Sequence, residues 1–253
     1  MKIEHPKAEN IPSLKELWRE AFGDSCEDID MFFNTAFHVE RSLCMIDKNV
    51  AVGALYWFDC EYNGEKAAYL YAIATLKSHR GKGICGKLME YTHDLLKKSG
   101  YVFVILVPGE KSLFRFYGKM GYTVLGSVDE KIITAHDRKI ALKRIDSSEY
   151  GLMRRELLPE NSVIQENECL LFLDKYAELY KGEDFLCACV RNGNSVRIVE
   201  LLGNTLAAEG ILYALGCKDG LVRTAGCVRE FSMYLPLCEK KAEPLVYFGL
   251  AFD

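Results

Sequence analysis

Apolar residues recur along this chain with two periods, one near the 3.6 of a helix and one near the 2 of a strand. In Asn10 to Phe22, Leu14, Leu17, Trp18 and Ala21 fall on one helical face. Pro12 sits in the first turn, and Gly23-Asp24 ends the run. A second helix is predicted from Cys26 to Phe37. Ser42 to Ile46 and Val50 to Phe58 then read as paired strands around the turn Asp47-Lys48-Asn49. Tyr62-Asn63-Gly64-Glu65 is a second hairpin turn. It leads into the apolar run Ala67 to Leu76, which reads as a buried strand. Lys87 to Leu96 carries Leu88, Tyr91 (or Thr92) and Leu95 at helical spacing. Tyr101 to Val107 is apolar throughout, as expected at the centre of a sheet covered on both faces. A short helix from Lys111 to Met120 and a strand from Gly121 to Leu125 follow. The order predicts a mixed α/β domain over residues 1–136, with a mostly antiparallel central sheet flanked by helices.

Residues 137–253 echo this order. Leu142 to Ser148 followed by a helix from Glu149 to Leu158 matches the opening of the chain. Glu168 to Tyr180 matches the second helix. Phe185 to Val190 and Val196 to Leu202 match the first hairpin, around Asn192-Gly193-Asn194. A helix from Thr205 to Leu215 follows, with Asn204 or Thr205 as its cap. The pattern predicts a smaller second copy of the first domain. The tail from Pro244 to Asp253 is apolar and strand-like, which predicts burial rather than a frayed end.

Composition narrows the classes. The chain has 253 residues, 49% hydrophobic and 27% charged, with net charge −4 and no basic block, so nucleic acid is not expected as a partner. No apolar run approaches the roughly 20 residues of a membrane span, and the first residues lack the apolar core of a signal peptide. The expected location is cytoplasmic. Ten cysteines occur without a Cys-x-x-Cys pair, which predicts buried reduced thiols and no metal.

The chemistry concentrates in Arg80-Gly81-Lys82-Gly83-Ile84-Cys85-Gly86, between the buried strand and the amphipathic helix. Glycines let backbone approach a ligand, and the N–H groups and dipole of a helix start favour an anion. A Walker P-loop pattern is absent. The Gly-x-Gly-x-x-Gly spacing of a dinucleotide site is present, but it follows antiparallel hairpins and no acidic residue tips the next strand. A tight turn without a ligand is a further reading. The corresponding turn in the second half, Gly203-Asn204-Thr205, has no basic residue and no second glycine, so that copy is expected to lack the anion site.

Arg80-Gly81-Lys82-Gly83-Ile84-Cys85 resembles the Arg/Gln-x-x-Gly-x-Gly/Ala motif with which GCN5-related N-acetyltransferases, the GNAT superfamily, bind the pyrophosphate of acetyl-coenzyme A. Leu113 to Tyr122, with Phe116-Tyr117 before Gly121-Tyr122, resembles that family's second signature. Cys85 departs from the motif, where the family has Gly or Ala. The resemblance covers residues 2–126, and the two-part layout resembles the tandem branch with a degenerate second copy that shapes the acceptor site. It implies acetyl transfer to the primary amine of a small molecule by direct attack in a ternary complex. Acyl transfer to a protein N-terminus or other acceptor, and acyl-CoA sensing without turnover, are the alternatives.

The resemblance also implies roles. Backbone N–H groups from Gly81 to Gly86, with Arg80 and Lys82, would hold the pyrophosphate. Ile73, Ala74 and Thr75 would bind the pantetheine arm as an added strand. Phe116 would line that arm, and Tyr117 would act as general acid on the leaving thiolate. The base has three candidates: water, Glu61 or Glu65, and the C-terminal carboxylate of Asp253. Cys85 stands at a helix start, which lowers a thiol pKa, but no histidine is placed to activate it as a nucleophile.

Overall fold

The computed structural model describes residues 1–193, 195–239 and 247–252, and it divides into two compact units. The first comprises Met1–Leu106, Ser112–Thr123 and a segment beginning at Tyr234. It opens with β1 (Lys2–Glu4), α1 (Ile11–Phe22) and α2 (Cys26–Thr35). Gly23, in the left-handed conformation at φ 80°, caps α1, and the Ser25 hydroxyl accepts from Asp28 N to start α2. β2 (Ser42–Asp47), β3 (Val50–Tyr62) and β4 (Glu65–Thr75) form an antiparallel meander. Both hairpins turn where the sequence predicts: Lys48 and Asn49, then Asn63 and Gly64, take positive φ. α3 (Ile84–Lys98) leads to β5 (Phe103–Leu106), parallel to β4, and α4 (Lys111–Gly118) follows. The strand order in this unit is β1-β2-β3-β4-β5, and Leu237 N donates to Val102 O just before β5.

The second unit comprises Val107–Lys111, Val124–Met233 and the tail. β6 (Thr123–Thr134) is longer than the predicted 121–125 strand and pairs with β12 (Asp219–Ala225). Between them come β7 (Lys143–Arg144), α5 (Ser147–Leu157), β8 (Ile164–Gln165), α6 (Glu168–Tyr176), β9 (Glu178–Lys181), β10 (Phe185–Asn192), β11 (Ser195–Gly203) and α7 (Ala208–Ala214). β13 (Arg229–Pro236) follows β12. The order in this unit is β6-β12-β11-β10-β9-β7, with β11 and β12 parallel. The strand order β7-β9-β10-β11-β12, with β11 and β12 parallel, follows that of β1-β2-β3-β4-β5, so the hairpin of β10 and β11 stands where β3 and β4 do and not, as the sequence pattern suggests, where the first hairpin does. The expected helix from Glu168 to Tyr180 is shorter, because Ala177 turns to extended backbone and β9 pairs with β10.

The compact units do not part at residue 136. β6 pairs with β12 from Val128 to Thr134, so its residues from Val124 group with the second unit, while residues 234–239 group with the first. The core of the second unit contains Phe185, Cys187, Ile198, Ile211 and Leu212. It also buries an ion pair: Arg154 Nε and Nη2 donate to Glu200 at 2.8 and 3.1 Å, and Tyr150 Oη donates to the same carboxylate at 2.7 Å. Six cysteines are buried free thiols, whereas Cys26, Cys227 and Cys238 are exposed. Among the described residues, no helix is long and apolar enough to cross a membrane, and no group of three metal-ligating side chains is gathered.

Candidate active site

β4 and β5 part company within the first unit. Their parallel register covers Ala67↔Phe103 to Tyr69↔Ile105, and β4 then runs on to Thr75 without β5. On its other side, β4 slips against β3 between Tyr56↔Tyr71 and Ala54↔Ala74, with Ala72 at φ 48° inside the slip. A bulge of this kind leaves a residue outside the ladder and bends the strand. Ile73, Ala74 and Thr75 therefore sit on a bent strand with one open edge. The Thr75 Oγ1 is buried without a hydrogen-bond partner among the described residues.

The basic turn begins where this strand ends. Arg80 Nε donates to Thr75 O at 3.2 Å, which ties the turn back to β4. Glu20 steadies the stretch between them, accepting from Lys77 N at 2.6 Å. Gly81 and Gly83 take φ of 76° and 73°, and a Cβ built on either meets nothing within 4 Å. The left-handed backbone, not crowding, therefore calls for glycine at both. Gly83 caps α3, and its carbonyl accepts from Lys87 N at 3.1 Å. The N–H groups of Ile84, Cys85 and Gly86 belong to the first helical turn, which has no intrahelical partners for them. Lys82 is exposed beside them.

Two residues of the motif behave differently from their neighbours. The Ile84 side chain is 3% exposed and packs with Met45 and Val52, so only its backbone is free to serve a ligand. That packing also explains Gly53, where a Cβ would lie 2.8 Å from Ile84 Cγ2. Burial pushes the Cys85 thiol up to about 11, opposite to the lowering a helix start alone would give. Cys85 is thus a neutral thiol near neutral pH. Gly86 has room, its Cβ position lying 4.0 Å from Met120 Cε.

Tyr117 lies on α4 with its side chain buried, and burial followed by the nearby Cys85 thiol raises its phenol above the ordinary value of 10.0. Its ring packs 5.3 Å from Phe116 and 5.8 Å from Tyr122. Phe116 is 38% exposed. The Tyr122 hydroxyl is joined to His93 Nε2 at 2.7 Å, and burial lowers His93 to about 4. The structure therefore gathers the turn, Cys85 and Tyr117 in one unit. His79 faces elsewhere, 3.9 Å from Asp47 and 2.9 Å from Ser78 Oγ.

The carboxylate candidates fare differently. Glu65 opens β4, about 25 Å from Ile73 at about 3.3 Å per residue, and Glu61 pairs with Lys66 at that same far end. Neither reaches the open edge. Asp253 lies outside the described residues. The tail before it, residues 247–252, is buried as expected but forms one isolated bridge rather than a strand. Gln165 clamps it, accepting from Leu250 N at 3.2 Å and donating to Leu250 O at 2.6 Å, and Phe252 packs 5.0 Å from Phe172. Ala72 and the Thr75 hydroxyl were not signalled by the sequence, because an alanine rarely takes positive φ and a strand threonine carries no mark.

In the second unit, β11 pairs with β12 out to Leu201↔Thr224, with a register shift between Ile198 and Leu201. Its helix start is closed: Asn204 Oδ1 accepts from Leu206 N at 3.0 Å, and Nδ2 donates to Asp184 Oδ2 at 2.9 Å. A Cβ on Gly203 would lie 2.3 Å from Asp184 O.

A family model described as an acetyltransferase (GNAT) domain matches residues 2–125. Among solved structures, a GCN5-related N-acetyltransferase from Anabaena variabilis is similar at 14% identity and TM-score 0.73, covering 94% of this chain and 73% of that one. A putative acetyltransferase from Pyrococcus horikoshii has 14% identity and TM-score 0.68, over 99% and 94% of the two chains. A tandem GNAT protein from the clavulanic acid biosynthesis pathway has 10% identity and TM-score 0.61, over 95% and 98%. At these identities the structures speak for the fold alone. No curated protein matches the sequence.

Proposed function

The chain belongs to the GNAT acetyltransferases through residues 2–125, and from that premise we propose that it transfers an acetyl group from acetyl-coenzyme A to the primary amine of a small molecule. The observation that carries this reading is the conjunction at the end of β4: a strand edge that opens beyond Tyr69↔Ile105, running directly into a left-handed glycine turn at the start of α3.

Each part has a task in such a transfer. The N–H groups of Ile84, Cys85 and Gly86 hold the pyrophosphate, with Arg80 and Lys82 adding charge. The open edge of Ile73, Ala74 and Thr75 takes the pantetheine amides as an added strand, and the Thr75 hydroxyl gains a partner there. The bulge at Ala72 turns backbone N–H groups toward the thioester, where they stabilise the tetrahedral oxyanion. Tyr117 holds its proton through neutral pH and delivers it to the departing thiolate. Phe116 borders the donor arm. The amine attacks in its neutral form and gives up a proton to water, and the Tyr117 phenolate regains one from solvent. The second unit is a repeat of the same fold without a donor turn.

A thiol-release assay with acetyl-coenzyme A, longer acyl donors and an amine panel tests the reading. Release that depends on the amine, with acetyl the best donor, supports it. Tight coenzyme A binding with no amine-dependent release would make the chain a sensor instead.

A further inference from the structure

Tyr117 must present its phenol to a departing thiolate from a helix with little hold on the rest of its unit. α4 has eight residues, and Tyr117 is its one buried side chain; the others are half-buried or exposed. A helix of about two turns is marginal by itself, so its position comes from whatever anchors it. Placement matters, because a shift of about 1 Å at a reacting group can cost a factor on the order of 10² in rate.

The segment that follows α4 runs beside α3. Cys85, Met89 and His93 fall at every fourth position of that helix, which places them on one face. The Met120 side chain reaches the start of α3, where its Cε lies 4.0 Å from a Cβ built on Gly86. Further along, His93 Nε2 meets the Tyr122 hydroxyl at 2.7 Å, with the two rings 5.6 Å apart. Tyr122 in turn packs 5.8 Å from the Tyr117 ring, tilted at 58° to it, and its backbone N–H donates to Tyr117 O at 3.2 Å. His93 and Tyr122 thus form a latch between the donor helix and the ring that carries the acid.

Both partners of the latch are neutral near pH 7. Tyr122 is 2% exposed, and burial raises its phenol well above the ordinary value, with the nearby Tyr117 and Cys85 adding to the rise. Burial holds the His93 imidazole down at about 4, although Asp94 beside it on α3 acts in the opposite direction. Breaking the bond strands the buried Tyr122 hydroxyl, which costs more than the bond itself contributes. His93 stands about 12 Å of helix beyond Cys85, at 1.5 Å per residue, so it is remote from the turn assigned to the pyrophosphate and works through Tyr122.

We propose that His93 is a positioning residue for the acid step: through its bond to Tyr122 it fixes the wall against which the Tyr117 phenol lies. This rests on the acyltransferase reading, because Tyr117 has this task only where a thiolate departs beside it. Amine-dependent thiol release with the best acceptor of the amine panel tests it, beside calorimetry with coenzyme A. His93→Leu should lower kcat about tenfold and leave the KM for acetyl-coenzyme A and the Kd of coenzyme A unchanged. Tyr122→Phe should lower kcat by the same factor, and the two substitutions together by no more than either alone. In a Tyr117→Phe background neither should lower kcat further. His93→Gln, whose side-chain amide can stand where Nε2 does, should recover most of the loss. A merely structural role would lower the melting temperature without this dependence on Tyr117. Wild-type kcat in both latch variants, a loss that persists in full in the Tyr117→Phe background, or a loss confined to coenzyme A affinity overturns the inference. If His93→Leu fails to fold, Tyr122→Phe, which removes one hydroxyl and keeps the ring, decides alone. Thiol release that no amine stimulates would defeat the acyltransferase reading, and full kcat in Tyr117→Phe would remove its acid; either shows before a latch variant is made, and either overturns the inference as well.

Discussion

Substituting Gly83 with alanine isolates what the basic turn contributes. Gly83 has φ 73°, and its Cβ position is empty to 4 Å, so the substitution adds no clash and its whole effect is backbone conformation. Holding a non-glycine residue in that region costs about 1–2 kcal/mol, equivalent to a factor of about 5–30 in an equilibrium. That cost must appear in one of two places. If the turn keeps its shape, folding stability falls by the full amount and coenzyme A affinity is unchanged. If the exposed turn relaxes, stability is retained and the ligand must restore the shape on binding, so Kd rises about 5–30-fold. The two effects together should account for the strain. Gly86→Ala is the control, because its space is open to 4.0 Å and it lies in the helix: stability should rise by about 0.4–1 kcal/mol. Denaturant unfolding gives the first quantity and calorimetric titration with coenzyme A the second. A Gly83→Ala protein with wild-type stability and wild-type affinity would refute the reasoning.

Other outcomes follow from the same geometry. Tyr117→Phe keeps the buried ring and removes the proton donor, so kcat should fall about 10²–10⁴-fold with little change in coenzyme A affinity, read by stopped and continuous thiol release. His93 is held neutral, near a pKa of about 4, so the unfolded chain binds more protons between there and 6.5. Its contribution is therefore complete above pH 6.5 and lost as pH falls toward 4, and His93→Gln should flatten that limb of a melting-temperature profile. Glu200→Ala leaves Arg154 charged and buried, which should cost about 3–5 kcal/mol in urea unfolding, while Glu200→Ala with Arg154→Leu should recover part of it.

Much of this arrangement was legible from residue patterns. The Asn-Gly and Lys-Asn turns, the capped amphipathic helices and the glycine turn all follow local rules, and local rules survive folding. What escaped is what only distant contacts decide. Ala72 takes positive φ because β4 must slip against β3, and nothing in an alanine announces that. Tyr56 reads as one more strand aromatic, and its orphaned hydroxyl appears only when its neighbours are in place. The helix predicted to Tyr180 stops at Tyr176 because Leu179 is needed in the pairing of β9 with β10. Residues 124–134 and those from Tyr234 group with compact units that chain order alone would not assign. The positive φ of Gly81 and Gly83 suits the glycines of the motif, whereas the helix start that would lower the Cys85 thiol is outweighed by burial, which raises it.

The central claim is that one turn, Arg80 to Gly86, is the donor site of a chain whose fold repeats. Titration of the wild-type chain with coenzyme A tests it most directly. The account predicts one site per chain, weakened by Gly83→Ala or matched by an equal loss of stability, and indifferent to Asn204→Ala, which touches only the closed helix start of the second unit. Two sites per chain, no binding, or a site weakened by Asn204→Ala and untouched by Gly83→Ala in both affinity and stability would contradict it.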